Sequence, residues 1–100
     1  MKQVLFHPSA RFELAESIAY YEQQSAGLGL DLLAEVEKAT AIIQRTPHAW
    51  PRYKDTDFRT FLVKRFPYVI FYLDDPDAVW IAAVAHGRRR PDYWIGRTRE

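Results

Sequence analysis

The sequence contains no cysteine, which excludes a disulfide framework, a thiolate zinc site and a cysteine nucleophile. Its apolar runs are short, and none approaches the roughly 18–20 residues that a membrane span needs. The first residues, MKQVLFHPSARF, contain no long apolar stretch of the kind found in signal peptides. We therefore expect a cytoplasmic protein that has no contact with a membrane.

The motifs of several large enzyme classes are also missing. There is no Gly-rich phosphate loop, no G-x-S-x-G and no H-E-x-x-H, so nucleotide hydrolysis, serine hydrolysis and zinc proteolysis have no support. The three histidines, His7, His48 and His86, are scattered, and none has a carboxylate at the spacing of a metal ligand. We expect neither a metal ion nor a cofactor.

The length and composition indicate one small globular domain over residues 1–100. A content of 48% hydrophobic and 27% charged residues differs from the profile of disordered chains, which are poor in apolar residues. Three Trp, six Tyr and six Phe make the chain rich in aromatic rings. We expect much of the core, or a contact surface, to be built from these rings.

The net charge of +1 hides an uneven distribution of charge. Residues 1–50 contain four Lys or Arg against six Asp or Glu, whereas residues 51–100 contain ten against seven. From His86 onward there are five arginines, including Arg99, and two acidic residues, one of them Glu100. A basic tail behind an acidic first half suggests contact with phosphate or an acidic partner, although many charge runs are only solvated faces.

The spacing of apolar residues predicts six elements of secondary structure. Strands are expected at residues 4–6, 58–65, 68–73 and 78–85, and helices at about 8–25 and 30–45. Two glycines in SAGLG, both able to adopt positive φ, separate the helices and predict an antiparallel helical hairpin. The order β-α-α-β-β-β predicts an α+β fold, in which this hairpin packs on one face of a small, mainly antiparallel sheet. The continuous apolar strand at 78–85 should be central.

The segment HGRRRPDYW, residues 86–94, is the most informative for function. It follows a buried strand, Gly87 permits a sharp turn and Pro91 prevents the strand from continuing. The side chains that can contact phosphate, bases or another target are His86, Arg88, Arg89, Arg90, Tyr93 and Trp94. His86 can also act as a general acid or base. For Trp94 we favour the alternative that the ring caps the open edge of the sheet.

A second basic group, Arg59 and Arg65, is predicted on one face of the strand at 58–65. If these arginines lie on the same rim as residues 86–94, they join the contact surface for a target, or stabilise phosphorane charge in metal-free RNA cleavage. The alternative is that they only protect an edge strand against aggregation. Three carboxylates of the first helix are expected to form a solvated face: Glu13, Glu16 and Glu22.

The whole chain resembles the RelE/ParE family of toxins from bacterial type II toxin–antitoxin systems. The helical part of the resemblance is carried by HPSARFELAESIAYYE and GLGLDLLAEVEKA, followed by the loop TPHAWP. The strands FRTFLVKRFPYVIFY and IAAVAHGRRRPDYW complete it. The resemblance implies a small toxin that is neutralised by a cognate antitoxin, whose extended C-terminal segment wraps around it.

Two activities are implied by the resemblance. RelE-like members cut mRNA in the ribosome without a metal, and by position Arg59, Arg88 and Tyr93 or Trp94 correspond to parts of their catalytic set. Phe61 and Val69 stand where further basic residues of that set are wanted. ParE-like members instead poison DNA gyrase, and YYE together with the ending H-x-R-R-x-P-x-Y-W resembles this branch more closely.

We therefore favour a ParE-like toxin that binds DNA gyrase, with plasmid stabilisation and growth inhibition as the consequences. The first alternative is a ribosome-dependent endoribonuclease, in which His86, Arg88, Arg59 and Tyr93 are catalytic. The second is a binding domain of the same fold that is not toxic.

Overall fold

The structure is a computed structural model and describes residues 1–97. This part of the chain contains two α-helices and four strands. In chain order they are β1 (Gln3–Phe6), α1 (Pro8–Gln24), α2 (Leu28–Arg45), β2 (Arg59–Leu62), β3 (Tyr68–Asp74) and β4 (Ala78–His86), with a short 3-10 helix (Pro47–Ala49) after α2. This confirms the predicted α+β class and element order. Arg99 and Glu100, which contribute to the basic tail, lie outside the described residues.

The four strands form one sheet in the order β1-β4-β3-β2. β1 pairs parallel with β4, whereas β2, β3 and β4 form an antiparallel meander. β4 occupies an inner position in the sheet, as predicted. Its apolar residues 79–85 are all buried, as is typical of a strand that is covered on both faces.

The helical hairpin packs on one face of the sheet and encloses the larger of two hydrophobic clusters. The fully buried residues of α2 in this cluster are Leu32, Val36, Ala39 and Ile43, which follow the period of a helix. They meet apolar side chains of the sheet, including Ile70 and Ile81. Tyr72 is buried among them, and its hydroxyl donates a 2.6 Å hydrogen bond to the carbonyl of Pro47.

The turn between the helices depends on Glu22. Its carboxylate accepts hydrogen bonds from the backbone N–H of Gly27 at 2.7 Å and of Gly29 at 3.0 Å, so a residue of α1 caps the N-terminus of α2. The Gly27 hydrogen bond is the main reason that the pKa of Glu22 is lowered. Glu22 is exposed, as expected of a solvated face, but its role as the cap of α2 was not predicted.

The two glycines of this turn have different roles. Gly27 adopts a φ of +89°, as predicted. Gly29 lies inside α2, where a Cβ atom would stand 2.2 Å from the carbonyl oxygen of Ile18. It is required because α1 and α2 approach closely at this point, and it does not use the positive φ that a glycine can adopt.

The strand predicted at residues 58–65 is shorter in the structure, where β2 covers Arg59–Leu62. Arg65 has a φ of +70° and lies in the bend that leads to β3. This bend ends the period of two, so Arg65 does not continue the face of Arg59. An antiparallel bridge between Arg52 and Arg59 covers the start of the outer edge of β2.

Candidate target-binding site

The chain turns sharply after β4, and this turn is held by three backbone hydrogen-bond donors. The N–H of Gly87 donates to the carbonyl of Pro67 at 2.8 Å, beside the start of β3. The N–H of Arg88 donates to Nδ1 of His86 at 2.9 Å, and the N–H of Arg89 to the carbonyl of His86 at 3.0 Å. The segment from Gly87 to Asp92, which we call the basic turn, is thus fixed to the sheet at its first residues.

The three arginines of the basic turn have different surroundings. Arg89 stacks on the ring of Tyr93, with its guanidinium carbon 3.9 Å from the ring centroid, and its Nη2 lies 3.9 Å from Oε2 of Glu13. The guanidinium groups of Arg88 and Arg90 are exposed and have no ion-pair partner among residues 1–97. Arg88 and Arg90 therefore offer two positive charges that the described fold does not neutralise.

His86 lies at the border of two clefts. Its ring packs edge-on against Tyr68, with 5.1 Å between the ring centroids. Because Nδ1 accepts a hydrogen bond from a backbone N–H, the neutral ring carries its proton on Nε2. A cleft of about 440 Å³ lies on the side of α1 and a smaller one, of about 210 Å³, on the side of the basic turn.

The larger cleft contains residues that the sequence analysis did not assign to a site. Its wall on α1 includes Glu13, Glu16, Ser17, Tyr20 and Tyr21, and Tyr68, His86, Arg89 and Tyr93 lie opposite. The spacing of Glu13, Ser17 and Tyr20 on one helical face is a signal that could have grouped them. No pattern in the sequence of α1 reveals that this face contacts the C-terminal segment, residues 87–97 after β4.

Glu13 is the contact between α1 and that segment. Its Oε2 accepts a 2.7 Å hydrogen bond from Nη2 of Arg97, and its side chain is only 20% exposed. Oε1 is buried and has no hydrogen-bond partner among the described residues. The prediction of a solvated face was therefore wrong for Glu13 and holds for Glu16 and Glu22, which are exposed.

Tyr93 is half-buried between the guanidinium groups of Arg89 and Arg97, whose central carbons lie 3.9 and 5.2 Å from its ring centroid. Burial, and after it the charge of Glu13, raise the pKa of Tyr93. Since the phenol stays protonated at neutral pH, Tyr93 can donate a hydrogen bond or stack against a target.

Trp94 is 1% exposed and forms the centre of the second hydrophobic cluster, on the face of the sheet away from the helices. Its ring stacks on Phe71 at 4.3 Å and meets Phe58 edge-on at 4.7 Å. The prediction that Trp94 can contact a target was therefore wrong, because a partner cannot reach a ring that is enclosed on this face. Trp94 caps the face of the sheet rather than the edge that we expected.

Arg59 does not join the basic turn. In the register of the sheet it lies opposite Tyr72, while Tyr68 lies opposite His86, so four residues of β3, or about 13 Å, separate the two sites. Its Nη1 donates a 2.7 Å hydrogen bond to the carbonyl of Trp50. The structure thus places Arg59 at the far end of the sheet.

Arg65 lies at the same end of the sheet as His86, next to the bend before β3, but it faces α2. Its guanidinium lies 3.5 Å from Asp31 and 3.7 Å from Glu35. Glu35 is the one buried charged residue of the described chain, and Arg65 and Lys38 neutralise it. Arg65 therefore has an internal partner that explains its position.

The basic turn is braced at its end by contacts that the sequence did not predict. The hydroxyl of Tyr53 donates a hydrogen bond to Asp92, and Nζ of Lys54 lies 3.3 Å from the same carboxylate. These bonds, first that of Tyr53, lower the pKa of Asp92. No local pattern shows this contact, because Tyr53 and Asp92 are 39 positions apart.

Two negative findings concern only residues 1–97. No group of three or more His, Asp or Glu side chains in this part could hold a metal ion. Neither α1 nor α2 is both long and apolar enough to cross a membrane.

Comparisons with known proteins concern the sequence family and the fold of the chain. Residues 4–91 match the family model of the ParE toxin of the type II toxin–antitoxin system parDE. Among solved structures, the chain is similar to a protein of the chromosomal ParDE toxin–antitoxin system from P. aeruginosa. The TM-score is 0.76 and the identity 13%, over 86% of this chain and 96% of the other.

No curated protein sequence matches the chain significantly. The structural similarity, at so low an identity, supports the fold, and the family model supports the assignment. By its sequence and its fold, the chain belongs to the ParE toxin family of type II toxin–antitoxin systems.

Proposed function

We propose that this chain inhibits bacterial growth in the cytoplasm by binding DNA gyrase, and that a cognate antitoxin neutralises it. Inhibition of this kind would stabilise a plasmid that carries both genes. The observation that carries the proposal is the pair of unneutralised arginines, Arg88 and Arg90, on a turn fixed to the sheet. Two cations held in place suit a binding toxin that engages an acidic surface of gyrase or the phosphates of its DNA.

The arrangement of the basic residues favours binding over RNA cleavage. Metal-free cleavage needs several cations around one phosphate. Arg59 pairs with Tyr72 of β3, whereas His86 pairs with Tyr68, so about four strand residues separate the two along the sheet. The guanidinium of Arg59 also donates a hydrogen bond to the carbonyl of Trp50. Phe61 and Val69 occupy positions at which the resemblance implies further basic residues, and neither side chain carries a charge.

Cleavage of RNA remains the second candidate because His86 borders both clefts. Its Nε2 carries the proton in the neutral ring, and Arg89 and Tyr93 line the same clefts. A general acid beside an arginine and a phenol is suited to phosphodiester chemistry.

A single induction experiment separates the candidates. The chain is expressed alone in a bacterium, and both plasmid supercoiling and mRNA integrity are followed after induction. We expect plasmid relaxation or trapped cleaved DNA with intact transcripts, and purified protein should inhibit supercoiling by gyrase. Cleaved transcripts with normal supercoiling would contradict the gyrase proposal and support the endoribonuclease. Normal growth on induction would contradict both.

The antitoxin is tested separately from the target. The protein encoded by the open reading frame next to this gene is co-expressed with the chain. We expect the two to co-purify and growth to recover. A neighbouring protein that neither binds the chain nor restores growth would contradict the antitoxin part of the proposal.

A further inference from the structure

At one end of the sheet, β1 pairs with β4 on one side only. The N–H of His7 donates to the carbonyl of Ile81 in β4 at 2.9 Å, so the backbone of His7 faces the sheet. Because alternate residues of a strand direct their backbone groups to opposite sides, those of Val4 and Phe6 face outward. Neither residue has a backbone hydrogen-bond partner within residues 1–97. The N–H and C=O groups of Val4 and Phe6 are therefore open to another strand.

This open edge is short, because its two ends are closed. Before β1, the carbonyl of Lys2 accepts a 2.5 Å hydrogen bond from Nε2 of Gln44. After β1, Pro8 has no N–H and begins α1. Proteins often protect an exposed edge with a charged residue or a proline inside the strand, and Gln3–Phe6 contains neither. The edge is thus unprotected over Val4 and Phe6.

A second copy of β1 matches this edge in one register. If two copies run antiparallel about a two-fold axis at Leu5, Val4 of each copy lies opposite Phe6 of the other. Each of these two pairs exchanges two hydrogen bonds, so every open backbone group is used. A symmetric register centred on Val4 would need the occupied carbonyl of Lys2, and one centred on Phe6 would need an N–H from Pro8.

The same register covers an exposed apolar side chain. Leu5 is 45% exposed in the single chain. With the axis at Leu5, the two Leu5 side chains lie directly opposite each other at a position without hydrogen bonds, where cross-strand side chains come closest. The pairing therefore removes Leu5 from water in both copies.

The surface beside β1 carries one cation and one anion that the described fold does not pair. A cleft of about 300 Å³ is lined by residues of β1, α1 and α2, among them Arg11 and Glu37. Both side chains are exposed, and neither has an ion-pair partner within residues 1–97. The guanidinium carbon of Arg11 lies 5.1 Å from the ring centroid of Phe6, at the last residue of β1.

α2 reaches the opposite end of β1, where Gln44 contacts Lys2. A two-fold axis at Leu5 exchanges the two ends of the strand, so it brings Arg11 of one copy alongside α2 of the other, which carries Glu37. A surface with both signs, arranged in this way, is complementary to itself. This favours a second copy of the chain over a partner of one charge.

We propose that β1 pairs with β1 of a second copy of this chain and forms a symmetric dimer in which one sheet runs through both copies. The contact is small, so we expect a weak dimer with a dissociation constant of about 100 µM. At the low micromolar concentrations at which unfolding is measured, the chain is then a monomer, and the contact does not enter its stability. The inference does not depend on the target or the antitoxin proposed above.

The test measures self-association of the purified chain by sedimentation equilibrium, from about 5 to about 500 µM. Leu5→Glu places two like charges opposite each other at the axis. Leu30→Glu is the matched control, because Leu30 is 63% exposed in the first turn of α2, where an acidic residue suits the helix dipole. Circular dichroism verifies folding. Hydrogen exchange of the wild type at low and high concentration reports on the amides of Val4 and Phe6 without any substitution.

A charge exchange tests the contact between Arg11 and Glu37. Arg11→Glu and Glu37→Arg each bring like charges together in a dimer of identical copies. In a 1:1 mixture of the two variants, each copy again meets the opposite charge. Recovery of association in the mixture reports on a contact between two copies, which a loss of folding in either variant could not produce.

We expect a wild-type dimer in which the amides of Val4 and Phe6 are protected at high concentration. Leu5→Glu should weaken association at least 10-fold and Leu30→Glu less than 3-fold. Each charge reversal should weaken it about 5-fold, and the mixture should return to within about 3-fold of the wild type.

Three results would contradict this inference without bearing on the proposed function. A wild type that stays monomeric to 500 µM, or a dimer that Leu5→Glu leaves unchanged, would overturn the pairing of β1. A mixture that associates no better than the single variants would overturn the contact between Arg11 and Glu37. If the amides of Val4 and Phe6 become protected only when the protein encoded by the neighbouring open reading frame is added, that protein and not a second copy occupies the edge.

Discussion

The guanidinium of Arg97 donates a 2.8 Å hydrogen bond to the carbonyl oxygen of Ala82, at the irregular point in the middle of β4. The register between β3 and β4 shifts here and skips Ala82, as in a β-bulge. A buried carbonyl outside the ladder needs another donor, which Arg97 supplies. The same guanidinium bonds to Glu13, so it joins the sheet, the C-terminal segment and α1.

Replacement of Arg97 by alanine should lower the free energy of unfolding by about 2–3 kcal/mol. The change leaves the Ala82 carbonyl and a mostly buried Glu13 carboxylate without their donor. Urea denaturation measures the loss. As a control, Arg52→Ala removes an exposed pair with Asp57 and should change stability by less than about 0.5 kcal/mol. Equal stabilities of the two variants would show that Arg97 does not brace the fold.

Replacement of Trp94 by alanine should cost about 3–5 kcal/mol, because it leaves a large cavity between Phe58 and Phe71. The neighbouring Ile95 is 41% exposed, so Ile95→Ala serves as the control and should cost less than about 1 kcal/mol. Chemical denaturation of both variants makes the comparison. A Trp94→Ala variant as stable as the wild type would mean that the ring does not pack on the sheet in solution.

The sheet could be predicted from the sequence because each strand carries its own signal. The run from Val79 to Ala85 contains no polar residue, and such a strand is stable only when it is covered on both faces. The helical period of Leu32, Val36 and Ile43 likewise fixes which side of α2 meets the sheet.

The surroundings of the site could not be predicted in the same way. Glu13 has the spacing of a solvated carboxylate, and its partner Arg97 is 84 positions away. Trp94 was expected to shield an edge, but the rings that enclose it come from β3 and the loop before β2. Local periodicity reports which face of an element is buried and does not report which distant charge or ring it meets.

Replacement of Gly29 by alanine should destabilise the helical hairpin by about 1–3 kcal/mol. A Cβ atom would stand 2.2 Å from the carbonyl of Ile18, and both groups belong to rigid helical backbone. Gly96→Ala is the matched control, because nothing lies within 4 Å of a Cβ at that position. Thermal unfolding of the two variants tests the difference. If Gly29→Ala is no less stable than Gly96→Ala, α1 and α2 do not approach each other this closely in solution.

Glu22 should contribute to the dependence of stability on pH. Folding lowers its pKa below the ordinary value of 4.5, chiefly through the hydrogen bond from Gly27. Its stabilisation is therefore complete above about pH 4.5 and is lost as the pH falls through the lower pKa of the folded state.

Glu22→Gln should accordingly be less stable than the wild type at pH 7, and the difference should shrink towards pH 3. Urea denaturation at several pH values measures both chains. The exposed Glu37→Gln is the control and should follow the wild type at every pH. A difference for Glu22→Gln that stays constant from pH 7 to pH 3 would show that the cap does not act through the charge.

The basic turn should carry most of the toxic activity. Arg88→Ala combined with Arg90→Ala removes two cations that have no internal partner among residues 1–97, so we expect at least a 10-fold higher protein concentration for half-inhibition of gyrase supercoiling. Stability should change by less than about 1 kcal/mol, since neither guanidinium is packed. Inhibition by the wild type should also weaken as the salt concentration rises. Arg52→Ala removes one exposed arginine that pairs with Asp57 and not with a residue of the turn, and this variant should inhibit like the wild type. Full inhibition by the double variant would exclude the basic turn as the contact with gyrase.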